Sequence, residues 1–155
     1  MDSTDLIVEH RDHVAYITIN RPGKMHAFRG QTCDELINAL HRAGYDRDIG
    51  AIVLAGAGDR AFCTGGDQSE HEGQYDGRGT IGLPIEELHA AIRDVPVPVI
   101  ARVQGYAIGG GNVLATICDL TICSESATVG QVGPKMGSVD PGFGTAFLSR
   151  VVGEK

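Results

Sequence analysis

Positive charge is scarce in this chain. Only 13 Lys and Arg stand against 20 Asp and Glu, for a net charge of −7. A nucleic-acid binder needs a basic footprint to meet phosphates, so that class is excluded. The four cysteines, at 33, 63, 118 and 123, form no Cys-x-x-Cys pair, and no histidine pair stands at zinc spacing. Metal binding is therefore not expected, and each cysteine reads as a small core residue in a reducing compartment. No apolar run reaches the roughly 18 residues of a membrane span. Residues 1–5 are acidic and lack the apolar region of a signal peptide. These absences predict a cytoplasmic protein with no membrane partner. The chain has no internal repeat and no Walker pattern. No histidine follows His89, and Gly137-Ser138-Val139-Asp140 is not a G-x-S-x-G elbow, so residue order does not support a Ser-His-Asp triad.

Glycine is in surplus, with 22 residues in a chain of 155 against an average usage of roughly 7%. Two clusters stand out. Gly105-Tyr106-Ala107-Ile108-Gly109-Gly110-Gly111-Asn112 follows an apolar strand over 98–103. Ala61-Phe62-Cys63-Thr64-Gly65-Gly66-Asp67-Gln68 follows another over 51–55. Glycine turns leave backbone N–H groups bare and let a ligand approach the main chain. Two such turns can aim two donors at one oxygen, which is the device for chemistry that builds negative charge on a carbonyl. The nearby Gly56-Ala57-Gly58-Asp59-Arg60-Ala61 matches a dinucleotide fingerprint, but its continuation, Phe62-Cys63-Thr64-Gly65-Gly66, is a poor helix start.

The remaining pattern alternates strand and helix, which is the α/β class in a single domain. Strands are predicted at 6–9, 14–20, 51–55, 99–103, 120–123 and 128–131. Helices are predicted at 31–44, 84–95, 113–117 and 142–152. The polar stretch 56–82 is too long for a bare connection and reads as a functional loop. Asp140 either caps the last helix or acts as a general base. Ser138 is either a turn residue or a hydrogen-bond donor to a ligand carbonyl.

Taken together, the two glycine motifs resemble the crotonase (enoyl-CoA hydratase/isomerase) superfamily. Lys24-Met25-His26-Ala27-Phe28, Cys118-Asp119-Leu120 and Gly130-Gln131 fit as well. The resemblance implies a spiral of ββα units over 1–155, stopping before the family's C-terminal helical region. It also implies an acyl-CoA thioester as substrate, no cofactor, and a homo-oligomer (trimer or hexamer) in full-length form. The oxyanion donors would be the N–H groups of Gly66 and Gly110. Adenine and pantetheine would run past Met25, Ala27, Thr64 and Gln68. Gly65, Asp67, Tyr106, Gly109, Val132 and Gly133 complete the candidate binding set.

Hydratases of the family carry glutamates where this chain has Val113 and Gly133. Simple hydration of an alkene is therefore not expected. Gly130-Gln131-Val132-Gly133-Pro134-Lys135-Met136-Gly137-Ser138-Val139-Asp140 resembles a narrower branch. That branch holds naphthoate synthase, which closes a ring, and 2-ketocyclohexanecarboxyl-CoA hydrolase, which opens one. Val132 stands where a bicarbonate-using synthase would have threonine, Arg78 where its loop would supply tyrosine, and His26 where the branch has asparagine. The resemblance thus implies ring opening of 2-ketocyclohexane-1-carboxyl-CoA to pimeloyl-CoA. Asp140 would activate water, and Ser138 would orient the ketone or the water. The alternatives are naphthoate synthase and an inactive CoA-binding fragment.

Overall fold

A tight hairpin opens the fold. The computed structural model describes residues 5–71, 76–138 and 143–153. Strands β1 (Leu6–Arg11) and β2 (Val14–Ile19) pair antiparallel. Asp12 and His13 join them with φ of 52° and 63°. Two successive left-handed residues give a turn whose twist matches that of the strands. β2 alternates cleanly, with Ala15, Ile17 and Ile19 fully buried. One face of β2 therefore meets the core.

β3 (Ala51–Gly56), β5 (Val99–Val103) and β7 (Leu120–Cys123) extend this sheet in parallel, in the order β1-β2-β3-β5-β7. A second, three-stranded parallel sheet holds β4 (Ala61–Cys63), β6 (Tyr106–Ile108) and β8 (Thr128–Gly130), in the order β4-β6-β8. From β3 onward each turn of the chain puts one strand in the large sheet and the next in the small one. It then returns through helix: α2 (Gln68–His71) and α3 (Ile85–Asp94), then α4 (Gly110–Ile117), then α5 (Gly133–Met136) and α6 (Gly144–Val152). This is the expected ββα spiral. Among the described residues no helix is long and apolar enough to cross a membrane.

The helices sit where their apolar spacing places them. α1 (Gly30–Gly44) buries Leu36 and Leu40, and α3 buries Leu88 and Ile92. Gly44 does more than mark a helix end. A Cβ there would lie 2.6 Å from Val95 Cβ, so this glycine lets α1 run against the end of α3. α3 stops because Val95 precedes proline and takes extended backbone, with ψ of 138°.

Several expectations need correction. The stretch 56–82, read as a functional loop, also holds secondary structure: β4 and the single-turn α2. The second glycine cluster contains β6, and α5 comes after β8 with no periodicity to announce it. α4 starts at Gly110, three residues before the apolar run begins. Cys33, Cys63 and Cys118 are buried as expected, but Cys123 is exposed on the edge strand β7.

Gly111 is required by packing. A Cβ there would lie 1.9 Å from the Cys63 carbonyl oxygen, on backbone that has nowhere to go. Gly111→Ala is expected to lower stability by about 1–3 kcal/mol or more, the cost of overpacking. Gly23→Ala meets nothing within 4 Å and should change stability by less than about 0.5 kcal/mol. Urea titrations of both variants check this, and equal midpoints would contradict it.

Candidate active site

The site grows from the ends of β4 and β6. These short strands pair in parallel, with Cys63 beside Ala107. Gly66 and Gly110 each stand three residues beyond that pair, so the two turns emerge side by side. Gly65 has φ of +88°. A Cβ on it would sit 3.0 Å from the Gly110 nitrogen, and one on Gly110 would sit 2.8 Å from Phe28 Cζ and 3.2 Å from Gly65 Cα. Only bare main chain allows this approach.

Backbone bonding sets the direction of the first donor. The Phe28 N–H donates to the Gly65 carbonyl and the Asp67 N–H donates to the Phe28 carbonyl, each at 2.8 Å. These two bonds form a parallel bridge between Phe28 and Gly66. The residue between two such bonds turns its own N–H to the other side, so the Gly66 N–H is left for something other than Phe28. The second donor is the first N–H of α4. Helix starts leave such groups without an intrahelical partner. Gly109, with φ of 55° and ψ of −121°, turns the chain into the helix, and its N–H donates to the Gly130 carbonyl at 2.9 Å.

Both turns line one cavity of about 310 Å³, a volume suited to a small acyl group. Thr64, Gly65, Gly66 and Gln68 line it from the first motif, and Gly109 and Gly110 from the second. Val132, Gly133 and Ser138 line it from the segment around α5. Val113 lines it as well, so both positions where hydratases carry glutamate face this space. Among the described residues no carboxylate lines it. Asp140 lies outside the described residues, two positions beyond Ser138.

Other candidates sit elsewhere. Met25, Ala27, Asp67 and Tyr106 do not line the cavity. Tyr106 is exposed on β6. Asp67 is buried, and its oxygens are committed. Oδ2 accepts from Arg21 Nη2 at 2.9 Å, and Oδ1 accepts from the Ser69 N–H at 3.0 Å and the Ser69 hydroxyl at 2.6 Å. Burial alone would raise its pKa. The bonds from Ser69 and Arg21 outweigh that and hold the carboxyl below its ordinary value. Arg21 also donates to the Ala27 carbonyl and stands 3.5 Å from Asp5. Asp5 is gripped in turn by Arg29 at 2.9 and 3.0 Å. This ion network holds the segment that carries Phe28 against Gly66.

Two further residues prove structural. His26 accepts from the Arg21 N–H at 3.1 Å and donates from Nε2 to the Ala57 carbonyl at 2.9 Å. Arg78 reaches away from the cavity and clamps Asp34 of α1 through two bonds of 2.7 and 2.8 Å.

Sequence reading missed Phe28, Ile81, Ile85, His89, Gln131 and Met136 as cavity residues. His89 had a signal: it falls four residues after Ile85 and three before Ile92, on the apolar stripe of α3. A polar residue on a buried helix face calls for an explanation.

Comparison with known proteins agrees with this architecture. Residues 9–155 match the family model for enoyl-CoA hydratase/isomerase. An enoyl-CoA hydratase from Bacillus anthracis is 30% identical, with a TM-score of 0.90 over 97% of this chain and 59% of its own. An enoyl-CoA hydratase/carnitine racemase from Magnetospirillum magneticum is 28% identical, with a TM-score of 0.89 over 97% of this chain and 57% of its own. A further enoyl-CoA hydratase/isomerase family member is 31% identical, with a TM-score of 0.86 over 96% of this chain and 58% of its own. The chain belongs to the enoyl-CoA hydratase/isomerase family, the crotonase superfamily. It spans a little under three-fifths of the length of these solved structures.

Removing the Asp67 carboxylate takes one of two acidic partners from the largely buried Arg21 and leaves Asp5 and the Ala27 carbonyl in place. Asp67→Ala should therefore cost about 1–3 kcal/mol of stability. The native pKa of Asp67 lies below the ordinary value of 3.8, so its contribution is complete at neutral pH. It is lost as the pH falls below about 4 and through the lowered native value. Urea midpoints should decline in that range, and less steeply in Asp67→Ala. Parallel pH profiles would contradict the role given to Asp67.

Proposed function

We propose that this chain carries the acyl-CoA site of a C–C bond hydrolase that opens 2-ketocyclohexane-1-carboxyl-CoA to pimeloyl-CoA. The observation that carries the reading is the convergence of the Gly66 and Gly110 turns on one cavity. Two N–H donors at a thioester oxygen stabilise an enolate. Removing a single donor of this kind costs roughly 2.7–4 kcal/mol of transition-state stabilisation in other enzymes.

The hydrolytic branch is favoured by what surrounds those donors. Val113 and Gly133 supply no acid or base for adding water to an alkene. Val132 presents methyl groups where the ring-closing branch needs a hydroxyl to help hold bicarbonate. The proton-handling group would instead come from the segment beyond Ser138.

In the proposed reaction Asp140 takes a proton from water as the oxygen bonds to the ring ketone carbon. The tetrahedral adduct collapses and the bond between C1 and C2 breaks. Its electron pair moves into the thioester as an enolate held by the N–H groups of Gly66 and Gly110, and C2 becomes the new carboxyl group. The proton held by Asp140 returns to C1, so substrate plus water balances pimeloyl-CoA. Met25, Ala27 and Thr64 would border the path of the CoA moiety. The Thr64 hydroxyl donates to the Met25 carbonyl at 3.3 Å, which joins the two sides of that path.

Incubation of the chain with the cyclic keto ester, followed by mass spectrometry of the CoA products, is expected to yield pimeloyl-CoA. Asp140→Asn should abolish ring opening while leaving CoA-ester binding nearly intact. Unchanged turnover in that variant would remove Asp140 from the mechanism. Bicarbonate-dependent conversion of o-succinylbenzoyl-CoA would transfer the chain to the synthase branch.

A further inference from the structure

Two polar atoms at this cavity lack partners among the described residues. Among the described residues, His89 Nε2 and Gln131 Oε1 are the buried side-chain atoms with no hydrogen bond. Both residues line the cavity, and His89 as a whole is 1% exposed. An orphaned buried polar group is costly, and native proteins keep few of them.

The protonation of His89 is set by its other nitrogen. The Phe143 N–H donates to Nδ1 at 3.3 Å, so Nδ1 is the acceptor and Nε2 carries the hydrogen. Burial pushes the pKa down to about 4, against a small opposing pull from Glu86. At neutral pH His89 is therefore an uncharged donor, and no acceptor among the described residues meets its Nε2–H. The ring is held in place by its tilted contact with Phe143, with centroids 6.0 Å apart.

We infer that His89 is the residue that reads the acyl group, its Nε2–H donating to a carbonyl oxygen set away from the thioester. An alkyl group would leave the N–H stranded, so an oxygen-bearing acyl chain is selected over a plain hydrocarbon one. The inference rests on the acyl-CoA reading and narrows it. It gives the ring ketone to His89 and leaves the Ser138 hydroxyl, on the same cavity, free to hold the attacking water. Gln131 Oε1 is a second polar position, able to accept from a hydroxyl once water has added to the ketone.

Calorimetric binding to the 155-residue chain tests this with three ligands: acetyl-CoA, cyclohexane-1-carboxyl-CoA and 2-ketocyclohexane-1-carboxyl-CoA. Asp140→Asn serves as background so that the keto ester survives the titration. The keto ester should bind roughly three- to tenfold more tightly than its deoxo analogue, the worth of one hydrogen bond. His89→Phe should erase that ratio. His89→Gln should restore it, because a glutamine amide can both accept from the Phe143 N–H and donate to the ligand. A merely structural role for His89 would weaken all three ligands together and leave the ratio unchanged, which would overturn the inference. Equal binding of keto and deoxo esters on the Asp140→Asn background would overturn it as well. Failure of all three ligands to bind that background would instead reject the acyl-CoA reading itself.

Discussion

The contact between the Gly65 and Gly110 main chains is the constraint on which the site depends. It requires two turns of the spiral to lie at the same height, and the register of β4 with β6 provides that. Because Cys63 pairs with Ala107 just before both turns, Gly65 and Gly110 leave the sheet close together. The small sheet is thus more than a packing layer. It sets the relative position of two backbone donors that are far apart in sequence. The donors themselves need no side chain, and for that reason glycine can occupy both positions without loss of chemistry.

A second layer keeps the first donor aimed. The Gly66 N–H faces away from Phe28 only while Phe28 bonds to both neighbours of Gly66. Phe28 in turn comes after a segment with two left-handed residues, Met25 and His26, at φ of 48° and 59°. Residues other than glycine resist that region. The conformation persists because the surroundings over-determine it: His26 is bonded at both ring nitrogens, and Arg21 ties the segment to Asp67 and the Ala27 carbonyl. Asp67 therefore acts on the site through geometry, from the far side of the turn.

How much of this was legible in the sequence depends on which features are local. β2, β5 and α1 were readable because each carries its own pattern over five residues or more. β4, β6 and α5 have three or four residues each, too few for a period to emerge. The short strands exist because a neighbouring turn of the spiral pairs with them. The glycine clusters were legible as a chemical device because Gly65 and Gly109 need positive φ and Gly110 needs contact, and no other residue meets those needs. The engagement of Asp67 was hidden for the opposite reason. Its partner Arg21 lies 46 residues away, and nothing in the local sequence says that the carboxylate is already spoken for. His89 was legible in principle, as a polar interruption of an apolar stripe, but its meaning required the cavity beside it.

The distribution of charge around the cavity has a consequence for what can happen inside it. Its described wall is glycine main chain, aliphatic side chains, one phenyl ring and a few neutral polar groups. Asp67, between Gly66 and Gln68, is engaged by Arg21, and Arg78 by Asp34 and Asp76. Even His89 is held uncharged by burial. In such surroundings a full negative charge is costly unless it meets fixed dipoles. The two glycine N–H groups are such dipoles, and their field is stronger here than it would be in water. A wall of this kind suits a reaction whose charge appears transiently at one oxygen. It suits poorly one that needs a permanently ionised pair beside the substrate, as two glutamates at positions 113 and 133 would provide.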